Sequence, residues 1–267
     1  MVEKSKDVVA GLGEIGSPIL QLLSKVKPAI GYDVNEKLMD VDKFKKFGKL
    51  DTCILHICIP YNDNFNSNVL SLYKKFKPDC IVIHSTISPG TTSKIQSKLS
   101  IPVIYSATRG VHRRMLHDMK RYVKFYAVEP NAPKAKWASA TYSNLLKKCN
   151  VKTKQMSKPL TLELAKIVVD TSYYGWLITY AQLSNMIAIQ NKVDYDEMWS
   201  FADEIHKYLG NRPKMFPGFI GGHCVIPNLD LIRNPTLDMI KEINDIYAKK
   251  VKNSKSIAKK YQSKKNL

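Results

Sequence analysis

Val8-Val9-Ala10-Gly11-Leu12-Gly13-Glu14-Ile15-Gly16, with an aspartate waiting at position 33, is the stretch that decides the fold. A short apolar strand runs into three glycines at G-x-G-x-x-G spacing, and a helical pattern continues through Leu23. Each glycine answers a separate need. The first permits the tight turn, the second lets the backbone approach a pyrophosphate, and the third lets helix and strand pack closely. The helix that starts there presents unpaired N–H groups and the positive end of its dipole to phosphates. Ala29-Ile30-Gly31-Tyr32 reads as the second strand and ends at Asp33. A carboxylate at that point accepts hydrogen bonds from the adenosine ribose hydroxyls and repels a 2′-phosphate. Val34-Asn35 follows, with no arginine to welcome that phosphate, so the pattern selects NAD over NADP. Gly11, Gly13, Glu14, Ile15, Gly16 and Asp33 are the expected cofactor contacts.

Working outward, apolar runs keep alternating with polar, helix-like stretches. Cys53 to Ile59 is stopped by Pro60, and Cys80-Ile81-Val82-Ile83-His84 by Ser85-Thr86. Val103-Ile104-Tyr105 and Val123 to Val128 make two more. Unbroken apolar runs separated by helices mark a parallel sheet covered on both faces. The expected fold is α/β, a Rossmann-like doubly wound, mainly parallel sheet over residues 1–157, whose ligands bind beyond the carboxyl ends of the strands. Pro60, Ser85 and Thr86 sit at such ends and join the expected cofactor set.

Near Ser157-Lys158-Pro159 the period turns helical, and residues 158–267 read as an all-helical second domain. Leu164, Ile167, Val168 and Thr171 share a face of a helix that continues to Ile189. Asp194 to Leu209 is a second helix, Pro217 to Pro227 a Gly/Pro-rich loop, and a last helix begins near Pro235 with Leu237, Ile240, Ile243, Tyr247 and Val251 as its apolar stripe. Residues 171–191 carry no charge and are long enough to cross a bilayer. Gln182, Ser184, Asn185, Gln190 and Gly175 within them favour a helix buried in protein, so no membrane association is expected.

Composition narrows the class. The chain has 267 residues, 44% hydrophobic and 24% charged, which is too apolar for disorder. Five cysteines (Cys53, Cys58, Cys80, Cys149, Cys224), an odd number with no C-x-x-C pair, exclude a disulfide scaffold and a zinc cluster, so no metal is expected. They fit a reducing compartment, the cytoplasm, and the opening residues show no apolar signal-peptide core. The net charge is +19, yet only six of the 42 basic residues are arginine. Nucleic-acid readers lean on arginine forks, so lysine spread this widely argues against nucleic acid and fits a solvated surface or an anionic small substrate.

Three further places carry chemistry-bearing side chains, each with a plainer reading beside it. Ser85-Thr86 can face a nicotinamide or cap the helix near Thr91-Thr92. Lys166, flanked by Glu163 and Asp170, can be an electrostatic stabiliser desolvated by Leu164, Ile167, Val168 and Val169, or a member of ordinary helical charge pairs. Gly221-Gly222-His223-Cys224 can bring a backbone close to a ligand with a nucleophilic thiol beside it, or hold a structural cysteine and a packing histidine.

Taken in order, these pieces resemble the UDP-glucose/GDP-mannose dehydrogenase family over nearly the whole chain. The resemblance rests on Gly-Leu-Gly-Glu-Ile-Gly at 11–16, His56-Ile57-Cys58-Ile59-Pro60, Ser85-Thr86-Ile87-Ser88-Pro89-Gly90-Thr91-Thr92, Glu163-x-x-Lys166, and Pro217-Gly218 followed by Gly221-Gly222-His223-Cys224. It implies oxidation of a sugar alcohol to an acid with two NAD. Cys224 would capture the aldehyde, Lys166 would hold the developing oxyanion, and Thr86 with residue 170 would position water. Gly221, Gly222 and His223 would form the substrate loop. It also implies a homodimer built through the long central helix.

The chain departs from that family at several points. Asp170 stands where the family has Asn, and Asn228 where it has Asp, as though one carboxylate had changed places; Asp170 is then expected to orient water or act as base. Thr108 stands about where the family has a glutamate. The family's third domain, which closes over the nucleotide, is expected to be absent, giving a short two-domain form. Two other readings stay open. One is a β-hydroxyacid dehydrogenase-like enzyme making a single two-electron oxidation with Lys166 as acid/base. The other is a dinucleotide-binding protein without catalysis.

Overall fold

The computed structural model describes residues 5–209, 217–222, 225–232 and 234–252. Its contacts divide the chain into two compact units, Met1–Lys166 and Ile167–Leu267.

The first unit is the α/β layer that the apolar runs predict. Seven strands among the described residues form one sheet: β1 (Ser5–Ala10), β2 (Ala29–Tyr32), β3 (Asp51–Ile57), β4 (Cys80–Ile83), β5 (Val103–Tyr105), β6 (Lys124–Val128) and β7 (Thr153–Gln155). Their order is β2-β1-β3-β4-β5-β6-β7, parallel throughout except where β6 runs against β5. Sequence order reverses at β1, between β2 and β3, which makes that end of the sheet the switch point where ligands bind in such folds. The strands are joined by helices α1 (Gly16–Leu23), α2 (Val41–Phe47), α3 (Phe65–Phe76), α4 (Thr91–Gln96), α5 (Met115–Arg121) and α6 (Ala135–Lys148), and α7 (Pro159–Leu164) follows the last strand.

Period-two alternation shares the strands between two cores. Val9, Ile54, Val82 and Ile104 turn to the face covered by α1, α5 and α6, with Tyr142 filling its centre. Val8, Leu55, Ile81 and Val103 turn to the other face, under α3, α4 and α7. Both faces are dry, which is why these strands are apolar without a break.

Three details differ from the sequence pattern. β3 ends at Ile57 rather than Ile59; the Cys58 amide still bonds Ala10 O at 2.8 Å. β7 has no apolar signal, being Thr-Lys-Gln on the outer edge beside β6. The long helix at 160–189 is real but not uniform. After α7, Ala165–Ser172 is wound as a π-helix, and α8 (Tyr173–Gln190) follows. The wider turn splits the face that ordinary helical spacing predicts: Ile167 and Thr171 are buried, whereas Leu164 and Val168 are exposed.

The second unit contains the rest of that helix with α9 (Tyr195–Leu209), α10 (Ile226–Leu229) and α11 (Pro235–Lys252). Ile220, Val225, Leu229 and Ile240 form its apolar centre. Gly175 packs closely there: a Cβ on it would sit 3.1 Å from Val225 Cγ1 and 3.4 Å from Ile240 Cδ1, a tight contact. No helix among the described residues is long and apolar enough to cross a membrane.

One buried carboxylate ties α7 into the first unit. Glu163, fully buried, accepts from the Gly90 amide at 2.6 Å, the Thr92 amide at 2.9 Å and the Thr92 hydroxyl at 2.6 Å. It closes the start of α4, whose own cap position is a glycine with φ +85° and no side-chain cap. Glu163→Ala should therefore leave buried donors unpaired and lower stability by about 3 kcal/mol. A urea titration checks this; an unchanged midpoint would show that water replaces the carboxylate without cost.

Candidate active site

Chemistry-bearing residues of the first unit gather along the carboxyl edge of the sheet. Backbone bonds continue past the strand ends and hold that edge in register. The Gly11 amide reaches Tyr32 O at 2.8 Å, Cys58 reaches Ala10 O at 2.8 Å, His84 reaches Ile57 O at 2.9 Å, and Thr108 reaches His84 O at 3.2 Å.

At the β2/β1 end the glycines behave as three different positions. Gly11 has φ +89°, and a Cβ on it would lie 2.8 Å from the Cys58 carbonyl. A Cβ on Gly16 would lie 1.7 Å from Gly11 O. A Cβ on Gly13 would meet nothing within 4 Å. Gly11 and Gly16 are thus required by the protein's own packing, whereas Gly13 borders open space at the start of α1. No side chain caps that helix and no acidic residue lies in its first turn; the Ser17 amide bonds Gly13 O at 3.1 Å and Pro18 has none, so an anion is favoured at the amides ahead of Ser17. Asp33 stands alongside, with Oδ2 accepting from the Leu12 amide at 2.6 Å and Oδ1 from the Asn35 amide at 2.8 Å. These bonds pin the carboxylate beside the turn and leave lone pairs for ribose hydroxyls. Glu14 is half exposed, its carboxylate 2.8 Å from His112 Nδ1. Ile15 is half-buried and Pro60 exposed. The donor set fits a dinucleotide.

At the end of β4, Ser85 is buried and its hydroxyl donates to Ile59 O at 2.6 Å. Thr86 beside it is half-buried. Neither caps α4, because Glu163 performs that task.

Farther along the edge lies a group the apolar pattern hides. Lys124 opens β6, and the antiparallel register that pairs Tyr105 with Ala127 brings it opposite Thr108. Its side chain is buried, with Nζ donating to Thr108 Oγ1 at 2.7 Å and to Ala107 O at 3.1 Å. Burial, reinforced by the charges of Lys166 and Arg109 and opposed by Cys58, lowers its pKa to about 7. Neighbouring groups respond to the same burial. The Cys58 thiol is pushed up to about 12, so it stays protonated, and His84 is pushed well below its usual value by burial, then by Lys124 and His56. A lysine standing alone in an apolar strand was the available sign; reading residues 123–128 as one apolar run overlooked it.

The other expected residues fall as follows. Lys166 is half-buried and lies within electrostatic reach of Lys124. Its apolar neighbours do not enclose it as expected: Ile167 is buried, but Leu164, Val168 and Val169 are 40%, 43% and 68% exposed. Asp170, half-buried, lies with Lys166 on the π-wound segment, a winding often found at functional sites. Gly221 and Gly222 are exposed, the latter with φ +74°. Asn228 is half-buried on α10. His223 and Cys224 lie outside the described residues.

The loop leading to them is held firmly. Asn244 accepts from the Ile220 amide at 2.8 Å and donates to Ile220 O at 3.1 Å. Gln182 Nε2 donates to Gly218 O at 2.7 Å, and the Tyr247 hydroxyl to Pro217 O at 2.8 Å.

No protein-family model matches the sequence, and no curated protein matches it. Solved structures do resemble the fold. A UDP-D-ManNAc dehydrogenase from Pyrococcus horikoshii superimposes with TM-score 0.74 at 18% identity, over 91% of this chain and 68% of that one. A UDP-N-acetyl-mannosamine dehydrogenase from Staphylococcus aureus gives 0.71 at 19% identity, over 96% and 71%. A 3-hydroxyisobutyrate dehydrogenase from Mycobacterium tuberculosis gives 0.64 at 14%, over 93% and 94%. At these identities the likeness is one of fold.

The glycine geometry separates two substitutions. Gly11→Ala should cost about 2–4 kcal/mol through its positive φ and the Cys58 carbonyl, whereas Gly13→Ala should melt like the wild type. Equal melting curves for both would contradict the packing described. Lys124 has its own signature. Below about pH 7 it is charged in both folded and unfolded chains and the burial penalty is complete. Between about 7 and 10.5 the unfolded chain binds the extra proton, so stability rises with pH. Measured against Lys124→Met, the wild type should gain up to about 1.4 kcal/mol per pH unit in that window. A flat difference would mean that the amine is hydrated.

Proposed function

We propose that the chain is an NAD-dependent dehydrogenase that oxidises the alcohol of an anionic sugar derivative, a nucleotide sugar or sugar acid, to the acid. The observation that carries this reading is the glycine turn open at Gly13, beside an uncapped helix start and a pinned Asp33. Bound NAD would supply the hydride acceptor.

The amides of Glu14, Ile15 and Gly16 would take the pyrophosphate, and Asp33 the adenosine ribose while excluding a 2′-phosphate. Ser85, Thr86 and Pro60, at the ends of β4 and β3, would border the reactive ring. Cys224 would attack the aldehyde formed by the first oxidation, giving a thiohemiacetal whose second oxidation leaves a thioester for water to cleave. Lys166 would hold the oxyanion that develops at each stage, and Asp170 with Thr86 would orient the water. Gly221, Gly222 and His223 would shape the substrate loop. The +19 net charge favours an anionic substrate by steering. Exposed Tyr173, Tyr174, Tyr180, Leu183 and Ile187 on α8 supply an apolar surface through which two copies would pair.

A second reading, one hydride taken from a β-hydroxyacid, draws support from the near-complete overlap with the 3-hydroxyisobutyrate dehydrogenase. Counting NADH per substrate decides between them. Two are expected, and Cys224→Ser should stop after one; a single NADH, indifferent to Cys224→Ser, would favour the hydroxyacid reading. No NADH with any alcohol would leave nucleotide binding alone. Lys166→Met should lower kcat at least about 100-fold with NAD affinity kept. Asp33→Asn should weaken the preference for NAD over NADP, measured as a ratio of kcat/KM; an unchanged ratio would remove Asp33 from cofactor selection.

A further inference from the structure

With Asp170 assigned to the water of thioester cleavage, the dehydrogenase reading still has to place one proton. Oxidation of an alcohol breaks an O–H and a C–H bond; the hydride leaves with its electron pair to the cofactor, and the hydroxyl proton must go to a base. Lys166, as the cation that holds an oxyanion, cannot also accept it. Among the described residues the carboxyl edge offers a different base. Lys124 is buried without a carboxylate partner there, and its described contacts use two acceptors, Thr108 Oγ1 at 2.7 Å and Ala107 O at 3.1 Å.

We propose that Lys124 and Thr108 form a buried acid–base pair that takes up the hydroxyl proton of the substrate. The step balances. The substrate O–H proton passes to Thr108 Oγ1 as the threonine's own proton passes to the neutral amine of Lys124, while the C–H electron pair leaves as hydride and C=O forms. Thr108 regains a hydroxyl and Lys124 becomes an ammonium, which later returns its proton to solvent. The inference rests on the dehydrogenase reading and deepens it.

Three observations converge on this pair. The first is position: the antiparallel register between β5 and β6 sets Lys124 against Thr108 at the ligand-binding edge, not in the middle of the sheet. The second is hydrogen-bond logic. An ammonium can only donate, so it holds Thr108 Oγ1 as an acceptor and sends the threonine proton elsewhere. A neutral amine reverses that bond and can receive the proton. The third is the electrostatic setting. The groups that act on Lys124 are Cys58 after β3, Arg109 after β5 and Lys166 on the π-wound segment, and Lys124 in turn acts on His84 after β4. Two of these are cations and no carboxylate is among them, so the amine is half deprotonated near neutral pH.

Lys124 acts through Thr108, so it is a positioning residue, and its test needs more than a loss of rate. In cofactor-free protein carrying 13C-labelled lysine, one Cε resonance missing from Lys124→Met should titrate near neutrality. With NAD and a panel of UDP-sugars and 3-hydroxy acids, wild-type kcat/KM should rise with pH through that same value. Lys124→Arg keeps the charge but cannot give up its proton, and Thr108→Val removes the hydroxyl while keeping the shape. Each should lower kcat about 100-fold and abolish the limb, with NAD affinity by fluorescence unchanged, while Thr108→Ser keeps the limb. A resonance titrating only above pH 9, or an intact limb in Lys124→Arg or Thr108→Val, overturns the proposal and leaves the dehydrogenase reading standing. Wild type that forms no NADH with any alcohol overturns both.

Discussion

The main-chain bonds that outlast the strands at the carboxyl edge are the constraint on which the first unit depends. Ordinary strand ends fray into loops that choose their own paths. Here Gly11, Cys58, His84 and Thr108 each donate their amide to a carbonyl on the neighbouring strand or just beyond it. Four loops are thereby locked to one another before any side chain is considered. The demand for glycine follows. The peptide at Cys58 passes so close to Gly11, and Gly11 O so close to Gly16, that any Cβ at either place collides with backbone. Gly13 escapes that demand, and the contrast points to the one place on the turn where space is left for something other than protein.

How far this was legible in the sequence depends on the kind of signal each residue gives. The glycine turn, Asp33 and six of the strands announce themselves through spacing and unbroken apolar runs, because burial on both sheet faces admits little else. β7 could not be read: three polar residues on a sheet edge are held by main-chain bonds to β6, and those carry no side-chain signature. The π-wound turn was invisible for a related reason. Its apolar residues keep helical spacing in sequence, and the wider winding shows only in which of them reach the core: Ile167 does and Val168 does not. Lys124 was missed because an apolar run was judged by its majority. In the sequence Glu163 is only a flank of Lys166, since nothing in its own helix reveals the donors of Gly90 and Thr92, over 70 residues earlier.

The first unit also buries a line of polar groups among its apolar residues. Lys27 Nζ bonds Asp7 Oδ1 at 2.6 Å, Asp7 Oδ2 lies 3.6 Å from His56 Nε2, and His56 Nδ1 lies 3.0 Å from His84 Nε2. Asp7, His56 and His84 all lie inside the core between strands. Burying such groups costs several kcal/mol unless they are paired, and an apolar trio of the same volume would pack without that cost. Asp7 also serves the fold, accepting the Ile54 amide at 3.1 Å where the register of β1 on β3 shifts, and the line ends at His84, whose carbonyl holds Thr108 and whose imidazole feels Lys124.

The second unit makes the same trade on a loop. Gln182 and Asn185 on α8, with Asn244 and Tyr247 on α11, are almost wholly buried. Gln182, Asn244 and the Tyr247 hydroxyl bond the carbonyls and amide of Pro217, Gly218 and Ile220, while Gln182 also bonds Asn244 at 3.0 Å and Asn185 bonds the Tyr247 hydroxyl at 3.2 Å, joining the two helices. Ile220 and Val225 anchor the loop from below in the apolar centre. A Gly/Pro-rich segment of this length would otherwise sample many paths, because glycine loses more freedom on ordering than any other residue. Apolar side chains of equal volume at 182 and 244 would keep the helices together and release the loop. Polar residues in an uncharged helix are therefore the cost of fixing one backbone path, and that path leads to residues 223 and 224.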